Sequence, residues 1–259
     1  MGASLKSHSQ GQTLVLTISN PESRNALGPD IYAAGVEALG VAESNPDVRS
    51  VIITGEGAHF CAGGNLQRLL GNRQQAPEVQ ASSIEGLNNW IEAIRACPKP
   101  VVAAVEGACA GAGFSLALAC DLIVAARDSV FVMAYSSVAL SPDGGATWSL
   151  MRSMPRATAM ELLLLGERAS AERLQQLGVV TRVADPCAAL SEALALAEKL
   201  NERAPNALAS IKELANDALI VPLHTQLANE RDHFVRNLHH GNGGEGIQAF
   251  LERRKPQYR

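Results

Sequence analysis

The chain has 259 residues, with 22 Lys plus Arg against 26 Asp plus Glu, a formal charge of −4, and 47% apolar but only 4% aromatic residues. That length fits one large domain or a domain with an appendage. The mild acidity and the lack of a basic stripe argue against a nucleic-acid binder, whose affinity rests on Lys and Arg neutralising phosphates.

In chain order, the N-terminal segment MGASLKSHSQGQ is polar and lacks the apolar core of a signal peptide. Thr13 to Ile18 reads as a strand, Asp30 to Glu43 as a helix and Ser50 to Thr54 as a second strand. A helix is expected over Ser83 to Cys97, strands over Val101 to Val105 and Leu122 to Ala126, and between those strands a short helix over Gly113 to Cys120. The strands are short, aliphatic and bounded by Gly, Pro, Asn or Asp, as in sheets buried on both faces. Alternation with helices implies an α/β domain. The longest apolar stretch, Phe114 to Ala126, is interrupted at Asp121 and falls short of the ~20 residues of a membrane span. A cytoplasmic enzyme is therefore expected, with no membrane or nucleic-acid partner.

After Val183 the texture becomes helical throughout: Cys187 to Arg203, Asn206 to Leu219 and Thr225 to Leu238, with breaks at Pro186, Pro205, Pro222 and the Gly241 to Gly246 cluster. A soft boundary near residue 200 divides a core, 1–200, from a C-terminal helical region, 201–259. The five cysteines, Cys61, Cys97, Cys109, Cys120 and Cys187, are odd in number, scattered and without metal-ligand spacing, so reduced thiols filling the interior are expected and no metal site is.

Two glycine-bearing segments follow strands: His59 to Leu66 (HFCAGGNL) and Glu106 to Ser115 (EGACAGAGFS). The second runs into an apolar helix, whose free N-terminal amides suit an oxyanion or phosphate. It is not a dinucleotide fingerprint, because Leu116 stands at the third glycine position, and no P-loop occurs. One amide from each loop can converge on a single carbonyl oxygen.

These residues, FCAGGNL at Phe60 to Leu66 and PKPVVAAVEGACAGAGFSLALACDLIVAA at Pro98 to Ala126, resemble the crotonase, or enoyl-CoA hydratase/isomerase, superfamily. NALG at Asn25 to Gly28, AYSSVALSPDGGATWSL at Ala134 to Leu150 and FLERRKPQY at Phe250 to Tyr258 carry the same resemblance, in the family's order and over nearly the whole chain. The resemblance implies a ββα spiral core with a C-terminal helical region that mediates trimer formation, giving a homotrimer or a hexamer built as a dimer of trimers. It implies acyl-CoA thioester substrates, no cofactor apart from the coenzyme A carried by the substrate, and an oxyanion hole formed by the backbone amides of Gly64 and Ala112. It also places Arg24, Ala26, Ala62, Asn65 and Leu66 along the CoA path, with Phe234 and Arg253 of a neighbouring subunit at the adenine and phosphate end.

Hydratases of the family use two glutamates, and their places hold Ser115 and Tyr135 here, neither suited to base work near neutrality. Asp143, in SPDGGATW, resembles the general acid/base of the branch that isomerises enoyl-CoA and ring-derived acyl-CoA thioesters; from local sequence alone it also reads as a helix N-cap. Shielding by Phe114, Tyr135 and Trp148 is expected to raise its pKa. With one carboxylate, the implied reaction is a double-bond shift in which Asp143 moves a proton between C2 and C4, with Tyr135 as an orienting hydroxyl or aromatic wall and Ser115 a small residue making room. A hydratase using Asp143 and water is the alternative enzyme, and a weakly catalytic acyl-CoA-binding subunit the alternative outside enzymes. An aryl-CoA dehalogenase is disfavoured, because Asn88 stands where its histidine base belongs. The polar segment Leu69 to Ser83 is expected to be mobile and to border the acyl pocket.

Overall fold

The computed structural model describes residues 3–259. Its larger sheet contains β1 (Ser4–Gln10), β2 (Thr13–Ser19), β3 (Ser50–Gly55), β4 (Val101–Val105), β6 (Leu122–Ala126) and β9 (Arg182–Ala184), hydrogen-bonded in the order β1-β2-β3-β4-β6-β9. All neighbours are parallel except β1 against β2. Alternate residues face opposite sides of such a sheet. Accordingly Leu14, Leu16, Val51, Ile53, Val101 and Ala103 enter one core, whereas Val15, Ile52, Val102, Ala104 and Val124 enter another beneath α8 (Ala189–Asn201).

A smaller sheet pairs β5 (Ala108–Ala110) with β7 (Val130–Val132) in parallel and β7 with β8 (Arg168–Ser170) antiparallel. β4, β5 and α4 (Ala112–Ala119) form one ββα turn; β6, β7 and α5 (Ala146–Ser153) form the next. A preceding turn runs from β3 through an isolated parallel bridge between Cys61 and Cys109 into α2 (Leu66–Asn72) and α3 (Pro77–Ala96). The expected spiral is thus present, and each turn passes its chain from the larger sheet to the smaller one just before a helix.

On the first core, α1 (Pro29–Ser44) crosses α3 closely. A Cβ on Gly35 would lie 2.3 Å from the Trp90 ring, and one on Gly86 would lie 3.3 Å from the Tyr32 ring. Those two glycines let the helices approach and fix Tyr32 at the top of their contact. The chain continues through α6 (Arg156–Leu165), α7 (Ala171–Gln176), α9 (Pro205–Asp217), α10 (Leu223–Leu238) and α11 (Gly241–Glu252). Lys212 anchors α9 to the core by donating to the Asp121 carboxylate at 2.8 Å and to the Ile94 carbonyl at 2.9 Å.

Several expectations are corrected. The polar N-terminus supplies edge strand β1, whose exposed pattern gives no apolar signal. The segment Leu69 to Ser83, expected to be mobile, is largely helical in α2 and α3, which begins at Pro77 rather than Ser83. The Gly241 to Gly246 cluster is not a break but the first turns of α11, where Gly243 packs so tightly on the Asn237 carbonyl that a Cβ would fall 2.2 Å from it. Cys187 is exposed, in contrast to the four buried cysteines.

Candidate active site

The two glycine segments are stitched together by backbone hydrogen bonds: Phe60 N to Glu106 O at 2.7 Å, Cys61 N to Ala108 O at 3.0 Å and Ala110 N to Cys61 O at 2.9 Å. Each loop then turns through a left-handed glycine, Gly63 at φ 96° and Gly111 at φ 51°. Only glycine adopts such angles without strain. Space is equally restrictive at Gly63, where a Cβ would lie 2.8 Å from the Ala110 carbonyl and 3.4 Å from the Ala112 nitrogen. The amide of Gly63 is held by the Cys61 sulfur at 3.3 Å and its carbonyl accepts from Leu27 N at 2.8 Å. Beyond these turns the amides of Gly64 and Ala112 find no acceptor among the described residues. Both line one cavity of about 560 Å³, and Ala112 stands at the positive N-terminal end of α4.

Asp143 reaches the same cavity from the loop between β7 and α5. Gly144 and Gly145, at φ 58° and 75°, turn the chain into α5 behind it. Gly144 has a second constraint, since a Cβ there would lie 3.0 Å from the Ser115 Cβ and 3.2 Å from Leu87. The N-cap of α5 is Gly145, with no side-chain cap, so the capping role for Asp143 is excluded. Its Oδ1 instead accepts a 2.7 Å hydrogen bond from the Tyr135 hydroxyl. Ser115 Oγ, fully buried on α4, donates to the Asp143 backbone carbonyl at 2.9 Å. Ser115 and Tyr135 thus hold the aspartate, one by its backbone carbonyl and the other by its carboxylate.

Burial holds the Asp143 carboxyl above the usual carboxylate range, with the Tyr135 hydroxyl partly offsetting it. Burial, and then the negative charge of Asp143, push the Tyr135 phenol well above its ordinary value, so it stays protonated near neutrality. The expected shielding is corrected in part. Tyr135 lines the cavity, but Phe114 lies behind it against Phe131, with ring centroids 5.0 Å apart. Trp148 faces another surface, held between the guanidinium groups of Arg95 and Arg152 at 4.4 and 4.1 Å. The apolar cover over the cavity comes from Leu69, Ile84, Leu87, Val138 and Leu140 instead.

Ala62 and Leu66 line the cavity. Arg24, Ala26 and Asn65 stand behind it: the Arg24 carbonyl accepts from Ala62 N at 2.9 Å, Ala26 is buried, and the Asn65 side chain caps α2 by accepting from Arg68 N at 3.0 Å. Phe234 on α10 and Arg253 at the end of α11 are not part of the cavity wall within one chain. Asn88 lines the cavity on α3. Sequence reasoning missed three contributors. Buried Asn25 donates to the carbonyls of Glu56 and His59 at 2.9 and 2.6 Å, bracing the first loop, and Tyr32 and Arg68 form part of the wall. Asn25 belongs to the NALG motif, whereas a single arginine on a short amphipathic helix carries no pattern that sets it apart.

Cys61 and Cys109 are neighbours across their bridge, but among the described residues no group of three or more His, Cys, Asp or Glu side chains converges to hold a metal ion. No helix among those residues is long and apolar enough to cross a membrane.

The chain is similar to known proteins over nearly its whole length. A family profile described as enoyl-CoA hydratase/isomerase matches residues 8–259. A 1,2-epoxyphenylacetyl-CoA isomerase of Escherichia coli is 37% identical over 253 residues, 97% of each chain. A 2,3-dehydroadipyl-CoA hydratase of the same organism is 32% identical, over 96% of each chain. Among solved structures, an enoyl-CoA hydratase from Polaromonas sp. JS666 is 71% identical with a TM-score of 0.98, covering 99% of this chain and all of the other.

Proposed function

The chain belongs to the enoyl-CoA hydratase/isomerase family, and from that premise we propose that it shifts a double bond in an enoyl-CoA thioester by one-base proton transfer. The observation that carries this reading is the charge inventory of the cavity: Asp143 is the one carboxylate in its wall, and the amides of Gly64 and Ala112, without an acceptor among the described residues, share that wall.

In the proposed reaction the thioester carbonyl of a 3-enoyl-CoA accepts hydrogen bonds from the Gly64 and Ala112 amides. The Asp143 carboxylate takes a proton from C2; the electron pair moves into the conjugated system, and the negative charge reaches the carbonyl oxygen, where the two amides stabilise it. Donors of this kind are worth about 2.7–4 kcal/mol each. The protonated Asp143 then returns the proton at C4, giving the 2-enoyl-CoA with no net gain or loss of atoms. Its raised pKa makes it a stronger base than an ordinary carboxylate for the first half, while it remains acid enough to return the proton in the second. Tyr135 and Ser115 hold the carboxylate in place. The reaction asks for no cofactor beyond the coenzyme A of the substrate.

The E. coli isomerase supports an isomerisation, whereas the names of other relatives point to hydration. Hydration needs one group to activate water and another to deliver the α-proton; with Ser115 and Tyr135 at the glutamate places, one carboxylate must do both. A trimer, alone or paired into a hexamer, is proposed as the working form, with Phe234 and Arg253 lent to a neighbour's CoA. Supporting it, α9 to α11 and their connections leave Ile220, Leu223, Phe234, Phe250 and Leu251 broadly exposed, an apolar surface of the kind that marks an interaction site.

Purified protein given 3-enoyl-CoA is expected to yield 2-enoyl-CoA, with the rate lost in Asp143→Ala. Rapid formation of 3-hydroxyacyl-CoA from 2-enoyl-CoA, without a double-bond shift, would replace this reading with the hydratase. Thioester binding without either reaction would leave the acyl-CoA-binding subunit.

A further inference from the structure

The cavity holds one cation as well as one anion, and nothing in the proposed proton transfer uses the cation. Arg68, on α2, lines the wall built by α1, α2 and α3. Its guanidinium lies against Gly28, where a Cβ would come within 3.0 Å of a terminal nitrogen. Arg68 enters no ion pair among the described residues. Its Nε is buried without a hydrogen-bond partner. Asp143, the other charge in the wall, does not compensate it: the groups that act on that carboxyl are its own backbone and Tyr135.

Further donors surround Arg68. Tyr32, nearly fully buried on α1, has its hydroxyl beside the guanidinium, which works against the burial that raises its pKa. Gln80 Oε1 accepts from Asn72 Nδ2 at 2.8 Å, which leaves the Gln80 amide NH2 without a partner among the described residues. Ser83 completes this side of the wall, and no carboxylate lies on it. A part-buried guanidinium with unfilled donors is costly unless something supplies acceptors, and its planar fork matches a carboxylate with two parallel hydrogen bonds. We propose that Arg68, Tyr32 and Gln80 bind a carboxylate at the distal end of the acyl chain, so that the preferred substrates are thioesters of dicarboxylic acids. Leu69, Ile84 and Leu87 then cover the methylenes between the two carbonyl ends.

The inference rests on the cavity being the acyl-CoA site, and saturated thioesters separate the two claims because their binding needs no reaction. The probes are hexanedioyl-CoA against hexanoyl-CoA, and octanedioyl-CoA against octanoyl-CoA, with dissociation constants measured by calorimetry. A charge-assisted pair predicts that wild type binds the dicarboxylic member ~10–100-fold more tightly at one length or both. In Arg68→Met that ratio falls to about one, and in Arg68→Lys, which keeps the charge but not the fork, it is intermediate; the lysine variant also serves if the methionine variant does not fold. A wild-type ratio of one or below at both lengths overturns the proposal. So does a ratio that survives in Arg68→Met, or equal weakening of both members, which would place Arg68 on the CoA moiety. Failure of all four thioesters to bind would instead remove the acyl-CoA reading of the cavity, and this proposal with it.

Discussion

The Tyr135 hydroxyl is the one side-chain group bonded to the proposed base, so Tyr135→Phe isolates what that bond does. At 2.7 Å, from a nearly buried phenol to a carboxylate, it is a charge-assisted hydrogen bond. Such bonds contribute about 1.5–3 kcal/mol, and each ~1.4 kcal/mol corresponds to one pKa unit. The bond favours the ionised carboxylate, because the phenol donates its proton to Oδ1 and a charged acceptor makes the stronger bond. Removing it therefore raises an Asp143 pKa already elevated by burial, by ~1–2 units. Activity needs the ionised form and falls as pH drops through that pKa, so the acid limb of the kcat/KM profile for isomerisation of 3-enoyl-CoA moves upward by ~1–2 units. On the limb the variant is ~10–100-fold slower, and on the high-pH plateau a more basic carboxylate recovers much of the loss. The assay is the absorbance of the conjugated thioester followed across pH. A limb that stays in place or moves downward refutes both the identity of the base and the orienting role of Tyr135.

Three further outcomes follow from the same geometry. Gly63→Ala introduces a Cβ at φ 96° against the Ala110 carbonyl; disturbing an oxyanion donor in this way is expected to lower kcat by ~10²–10³-fold and to cost about 1–3 kcal/mol of stability, read by kinetics and denaturant unfolding. Gly64→Ala keeps its amide and meets nothing closer than Leu69 at 3.8 Å, so its kcat is expected to stay within about tenfold of wild type; equal losses in the two variants would contradict the backbone-donor account. For Asp143, a folded-state pKa above the unfolded one means that the native chain binds the proton more tightly, so stability falls as pH rises through that window. Asp143→Asn escapes this loss, and urea midpoints are expected to favour it over wild type increasingly as pH rises above the ordinary carboxylate range.

Much of this fold is legible in the chain because its central strands are aliphatic runs buried on both faces: Val101 to Val105 and Leu122 to Ala126 pair where their composition suggests. β5, β7 and β8, at three residues each, are too short to carry a period, although β5 sets the register that brings the two loops together. The Gly241 to Gly246 cluster misleads because close packing of α11 on the end of α10 overrides glycine's weak helix propensity. Within the site, the loops and Asp143 are visible through glycine spacing and family resemblance. The partner of Asp143 is not, since an eight-residue separation from Tyr135 through a 3-10 turn has no sequence signature. Trp148 shows the opposite error: a residue near the acid in sequence turns away from it, because α5 presents it to Arg95 and Arg152.

Solvent deuterium tests the central claim most directly. Wild-type protein incubated with 3-enoyl-CoA in deuterium oxide is expected to yield 2-enoyl-CoA carrying label at C4 in whatever fraction of turnovers the Asp143 proton exchanges, together with labelling of unreacted substrate at C2. Asp143→Ala is expected to show neither. Label at C2 accompanied by a hydroxyl at C3, or label at C2 or C4 that persists in Asp143→Ala, would contradict a single-base isomerisation by Asp143.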